Sequence, residues 1–136
     1  MIYATSKNNT EKEKEMQGFY QSYKALHGKF KDQDIVTVCT VKNEKGEYGR
    51  GVAVCLPEDT PNIDFGYQIA MFHAQHAIKG RSPKPIIKPA AIKMILKTQC
   101  PFTMHSEKNP ELTFQEMILF NGKKRIDKIV DYIKKR

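Results

Sequence analysis

Acidic residues are missing from the middle of this chain. From Phe65 through Ser106 there is no Asp or Glu, while Lys79, Arg81, Lys84, Lys88, Lys93 and Lys97 all fall in that window. Such an imbalance sets up a local positive field and biases any partner toward an anion. Tryptophan is absent altogether. Cysteine is scarce: Cys39, Cys55 and Cys100 are odd in number and spaced without pattern, which argues against a secreted disulfide framework and for reduced intracellular thiols. No apolar run approaches the roughly eighteen residues of a membrane span. The start, MIYATSKNNTEKEKEM, lacks the cationic-then-apolar order of a signal peptide. A soluble cytoplasmic protein with no membrane partner is expected.

The 136 residues contain no linker-like tract, so one domain over 1–136 is expected, frayed over 1–9. A chain of this length buries roughly 65–70% of the surface its unfolded form exposes, enough for a core without staples. The formal net charge is +8. Lys123, Lys124, Arg125, Lys128, Lys134, Lys135 and Arg136 add a second basic run opposed only by Asp127 and Asp131.

The coarse pattern predicts an α+β fold: a small antiparallel sheet with a hairpin at about 34–56, a central helix at about 62–79 packed on it, an N-terminal helix, and a basic C-terminal helix. Thr10 followed by Glu13 reads as a capping box opening a helix over Glu11 to His27, with Met16, Phe19, Tyr20, Tyr23 and Leu26 as its inward stripe. Gly28 would end it. IVTVCTV and YGRGVAVCL flank a polar turn and read as two strands. A turn centred near Glu44 and Lys45 would put Ile35, Thr37, Cys39 and Val41 on one face with Tyr48, Arg50, Val52 and Val54. Val36, Val38 and Thr40 would then share the other face with Gly49, Gly51 and Ala53.

Pro57 to Asn62 stops the second strand, with Thr60 or Asn62 as the N-cap of the central helix and Gly80 as its stop. That helix is apolar nearly all round. Ile63, Gly66, Tyr67, Ala70, Met71, Ala74, Ala77 and Ile78 form a face small enough to lie on the glycine-bearing side of the sheet. Phe65, Ile69, Phe72 and His76 form a second face, expected to meet the N-terminal helix or another copy of the chain, which predicts a homo-oligomer through the 62–79 helix. Residues 82–121 are less legible. Pro83, Pro85 and Pro89 favour extended chain before a short helix or strand through Ile92, Ile95 and Leu96. Asn109-Pro110 marks a new start, and Leu112 to Phe120 suits helix or strand. Ile126, Ile129, Val130 and Ile133 make the last segment an amphipathic helix.

No catalytic signature is present. His73 and His76 stand one turn apart, and Cys55, Cys100 and His105 are further metal-ligand types, but zinc sites show tighter pairs such as Cys-x2-Cys; no metal and no cofactor are expected. Cys39 and Cys55 lie in or beside predicted strands, away from the helix N-termini that lower a thiol pKa. Gly46, Gly49 and Gly51 form neither a P-loop nor a dinucleotide fingerprint. Glu58, Asp59 and Asp64 read as carboxylates at a positive helix end rather than as catalytic acids. An enzyme is not expected.

The order helix, strand, strand, helix is similar to a double-stranded-RNA-binding domain, but that family grips phosphates with lysines at the start of its second helix, where this chain has Pro57-Glu58-Asp59. Gly51-Val52-Ala53-Val54-Cys55-x-Pro57-Glu58-Asp59 followed by Phe65-Gly66-x2-Ile69-Ala70 resembles a strand-to-helix segment of small phage-encoded proteins. In size and layout the chain is similar to the phage anti-Thoeris sponges, oligomers that capture a cyclic ADP-ribose signal without cleaving it. The resemblance covers about a quarter of the chain. It implies a phage counter-defence or accessory protein in the cytoplasm of a bacterial host, sequestering an anionic nucleotide-like signal.

For such a ligand the residues place Arg50, Lys79, Arg81 and Lys84 on phosphates, with Tyr48 or Tyr67 stacked on a base. One alternative is a nucleic-acid binder using Lys88, Lys93, Lys97, Lys123, Lys124 and Arg125 within segments 79–97 and 123–136, with steep salt dependence. The other is an inhibitor of a nucleic-acid or defence enzyme that docks on that protein through its basic surface.

Overall fold

The computed structural model describes residues 2–4, 16–80 and 83–121. Along the chain come β1 (Ile2–Ala4), β2 (Gln17–Lys24), β3 (Asp34–Lys42), β4 (Tyr48–Val54), α1 (Ile63–Ile78), β5 (Lys84–Pro85), α2 (Pro89–Leu96) and β6 (Met104–Lys108). A further helix, α3, occupies 114–121. The strands form one antiparallel sheet in the order β1-β2-β3-β4-β6-β5. The chain is α+β, as its pattern predicts.

Two apolar layers form on the two sides of the sheet. On one side, Cys39, Val41 and Ala53 pack against Ala70, Ala74 and Ile78 of α1. On the other, Val36, Val38 and Val52 pack against Ala91, Met94 and Ile95 of α2, with Ile86 and Phe102 closing the layer. The expected contact between the small-residue face of α1 and the glycines of the sheet is present. A methyl group added at Gly49 would strike the Ala74 carbonyl oxygen, and one at Gly51 would strike the Ala70 carbonyl oxygen. Backbone lies on backbone here, so only glycine fits.

The start and stop of α1 follow the sequence. Asn62 accepts the Phe65 N–H at 3.1 Å through its side chain, satisfying one of the donors a helix start leaves open. Asp64 occupies the first turn, and Gly80, with φ +88°, follows the Lys79 cap. Phe65 and Phe72, from the face expected to meet the N-terminal helix or another copy, are 61% and 53% exposed.

Two expectations are corrected. Residues 17–24 are strand β2, so the helix predicted over Glu11 to His27 does not occupy them; residues 11–15 lie outside those described. The helix-like stripe arises because both faces of β2 are covered: Phe19 packs edge-on to Phe120 at 5.2 Å, while Tyr20 stacks on Tyr67 at 4.5 Å. A strand with aromatics on both faces places them at mixed spacing and imitates a helical period. Leu26 lies in the following loop, 52% exposed.

The hairpin register is shifted by one residue. Val36 pairs with Val54, Val38 with Val52, Thr40 with Arg50 and Lys42 with Tyr48, so the valines face α2, whereas Thr37, Cys39 and Val41 join Ala53, Gly51 and Gly49 under α1. The cause is an extra loop residue. Asn43 N–H donates to Glu47 O at 2.9 Å, Gly46 N–H donates to Asn43 O at 3.1 Å, and Gly46 has φ +82°. A glycine in the left-handed region after two turn residues inserts one position into the count, and one position exchanges the faces of a strand.

The less legible region, 82–121, supplies two strands and two helices. Pro89 opens α2 at its first turn, where a missing N–H costs nothing. β6 pairs with β4 from Gly49–Lys108 to Gly51–Ser106. α3 opens with a reciprocal capping box: Glu116 N–H donates to Thr113 Oγ1 at 3.1 Å, and Thr113 N–H donates to Glu116 Oε1 at 2.9 Å. Thr113-x-x-Glu116 was the available signal. The basic C-terminal helix expected over 123–136 lies outside the described residues. Among the described residues, no helix is long and apolar enough to cross a membrane.

Candidate functional site

Arg50, first among the expected phosphate ligands, is only 6% exposed. Its Nε donates to Glu116 Oε2 at 3.1 Å and one Nη bonds Glu116 Oε1, so the two planar groups meet as a fork. The remaining donors reach Glu107 Oε1 at 3.4 Å and the Glu111 carbonyl at 3.0 Å, and the guanidinium carbon lies 4.1 Å from the centre of the Phe102 ring. Glu116, 1% exposed, also accepts the Thr40 hydroxyl. Burial pushes its carboxyl up, but the bonds from Arg50, the Thr113 N–H and the Thr40 hydroxyl outweigh burial and hold it below the usual glutamate range. The assignment of Arg50 to a ligand is therefore corrected: its donors tie α3 to the sheet.

The two tyrosines are also separated. Tyr48 lies on the α3 side, edge-on to Phe120 at 5.2 Å with Lys42 Nζ 5.5 Å from its ring centre. Tyr67 is on α1, stacked on Tyr20. No single ligand reaches both. Arg81 lies outside the described residues, as do Lys123, Lys124 and Arg125. Lys88 and Lys93 are exposed at the start and along the outer side of α2, and Lys97 caps its end.

Lys79 caps the end of α1 and Lys84 lies on β5, which joins β6; both are exposed. Lys84 pairs with Ser106 in the β5–β6 ladder, and beside it the rings of His73 and His105 face each other at 5.4 Å. Phe72 continues the row, 5.8 Å from His73 and 4.2 Å from His76. Burial lowers the His73 pKa, and so do the charges of His105, His76 and Lys84. Every charged neighbour acting on His73 is thus itself a base. His105 Nδ1 is buried with no hydrogen-bond partner among the described residues. The aromatic ring at this edge is Phe72, and the bases beside Lys84 are the imidazoles of His73 and His105. The carboxylate-free basic window pointed to this edge; the pairing of β5 with β6, which brings His105 to His73, left no mark in the sequence.

The thiols show no sign of activation. Cys39 is fully buried and burial pushes its thiol far up. Burial moves Cys100 up to about 11, and Cys55 is raised by burial and by Asp59 and Glu58. Among the described residues, no three His, Cys, Asp or Glu side chains gather to hold a metal ion. No protein-family model matches this chain, and neither the curated proteins nor the solved structures include a significant match.

Proposed function

We propose that this protein is a non-enzymatic binder of a small anionic, nucleotide-like ligand, held at the edge formed by α1, β5 and β6. The observation that carries the reading is the cluster of His73, His105 and Lys84 with only bases acting on its central imidazole, beside the exposed ring of Phe72. A phosphate would neutralise the ammonium and sit against the imidazoles of His73 and His105, and a base would stack on Phe72. Lys79, exposed at the end of α1, adds to the positive charge of this side of the molecule.

The test is calorimetric titration with AMP, ADP, ADP-ribose and cyclic ADP-ribose at pH 6.0 and pH 7.5, the last compound chosen for the sponge resemblance. Binding of at least one nucleotide is expected, stronger at pH 6.0, because a bound anion favours protonated imidazole. Losing one charge-assisted hydrogen bond weakens affinity roughly ten-fold or more, so Lys84→Ala and His105→Phe should each do so. Absence of binding at millimolar nucleotide, or unchanged affinity in both variants, would overturn the reading. Steep salt dependence with an oligonucleotide and none with mononucleotides would favour nucleic acid instead.

A further inference from the structure

We propose a second binding site, of opposite charge preference, in the cleft between the start of α1 and the ends of β3 and β4, which takes a small amine with an apolar body. The cleft encloses about 560 Å³, within the usual range of ligand sites. Ile35, Val54 and Ile69 line it with hydrocarbon, and the exposed Phe65 ring stands at its rim. Its charged lining consists of Asp34 and Asp59, with no lysine, arginine or histidine. In a protein of net charge +8 that is a local reversal of sign.

Asp34 supplies the anchor. Its Oδ1 is buried and has no hydrogen-bond partner among the described residues. A carboxylate oxygen withdrawn from water without a partner is costly. A turn of the Asp34 carboxyl toward the cleft would bring that oxygen to a protonated amine, whose hydrocarbon covers Ile35, Val54 and Ile69. An anion would meet two carboxylates and no cationic side chain in the lining, and Asn62 already takes the Phe65 N–H that the positive start of α1 would offer it. The amine class therefore follows from the lining, independently of the nucleotide proposed for the far end of α1.

The probe is 2-phenylethylamine, compared with 3-phenylpropionate, which has a similar shape and the opposite charge. Calorimetry should show saturable one-to-one binding of the amine and none of the acid at equal concentration. Asp34→Asn should weaken the amine at least ten-fold without lowering the melting temperature, since it removes a costly unpartnered charge. Cys55 lines the same cleft, so its alkylation by N-ethylmaleimide, read by peptide mass mapping, should slow when the amine saturates the wild-type protein. Equal binding of amine and acid, undiminished affinity in a folded Asp34→Asn variant, or unprotected Cys55 would each overturn the proposal. If Asp34→Asn fails to fold, the charge contrast and Cys55 protection in the wild-type protein decide.

Discussion

Replacing Glu116 with Gln preserves shape and removes one charge from the centre of the Arg50 cluster. The amide offers a single acceptor oxygen, whereas the carboxylate serves Arg50, Thr40 and the Thr113 N–H. Its NH2 must then face the guanidinium or the Thr113 donor. Arg50 keeps Glu107, but at 3.4 Å and with that carboxylate 27% exposed. Breaking a buried pair on one side costs about 3–5 kcal/mol, and the surviving Glu107 contact places E116Q near the lower end. For a domain of this size about 3 kcal/mol corresponds to a melting temperature roughly 10–15 °C lower. Thermal and urea unfolding followed by circular dichroism at pH 7 measure it. The double variant Arg50→Met/Glu116→Leu, which removes both charges, should be less destabilised than E116Q. The pH dependence has a fixed sign. The folded-state pKa of Glu116 is lowered, so its contribution is complete above the unfolded value of about 4.3 and is lost as pH falls through the folded value. Wild-type stability should thus drop more steeply than that of E116Q below about pH 4.5. A cost under about 1 kcal/mol for E116Q, or a double variant at least as destabilised as E116Q, would refute the clamp.

Gly51→Ala places a methyl group against the Ala70 carbonyl, the Ala74 nitrogen and, at 2.7 Å, the His73 Cβ. These atoms cannot rotate away, so a loss of about 3 kcal/mol or more is expected from chemical unfolding, and a loss below about 1 kcal/mol would show that α1 does not press on β4. Lys84→Gln removes one of the bases that lower the pKa of His73. A histidine NMR titration should show His73 moving up toward its ordinary value, and an unmoved or lowered pKa would place Lys84 away from the imidazoles.

What the sequence shows clearly is what local rules determine. Asn62 and Gly80 bound α1 because capping and the left-handed turn involve neighbouring residues only, and the small-residue face of α1 predicts its seat on Gly49 and Gly51. What it hides is set by partners distant in the chain. β2 reads as a helix because its two faces answer to α1 and α3, through Tyr67 and Phe120. Arg50 reads as a ligand because nothing local announces Glu116, sixty-six positions on. The register error has a smaller origin in Gly46, whose positive φ adds one loop residue. Of the expected ligand residues, Lys84 stands beside imidazoles that come from α1 and β6, His73 and His105.

The two charged ends of α1 have different explanations. The helix dipole favours anions at the start and cations at the finish, and its influence fades within the first and last turns. Asp64 in the first turn and His76 in the last satisfy that rule without any ligand. Lys84 and His105 do not belong to α1. They arrive on β5 and β6, held by the pairing of Lys84 with Ser106, and their charges lower the pKa of His73 instead of compensating one another. At the opposite end, Asp34 comes from β3 and presents an oxygen that the cap of α1 leaves unbonded. The helix dipole thus accounts for the residues α1 carries itself and leaves unexplained those that the sheet delivers to its ends. Those delivered residues are the ones on which the proposed anion and the proposed amine depend.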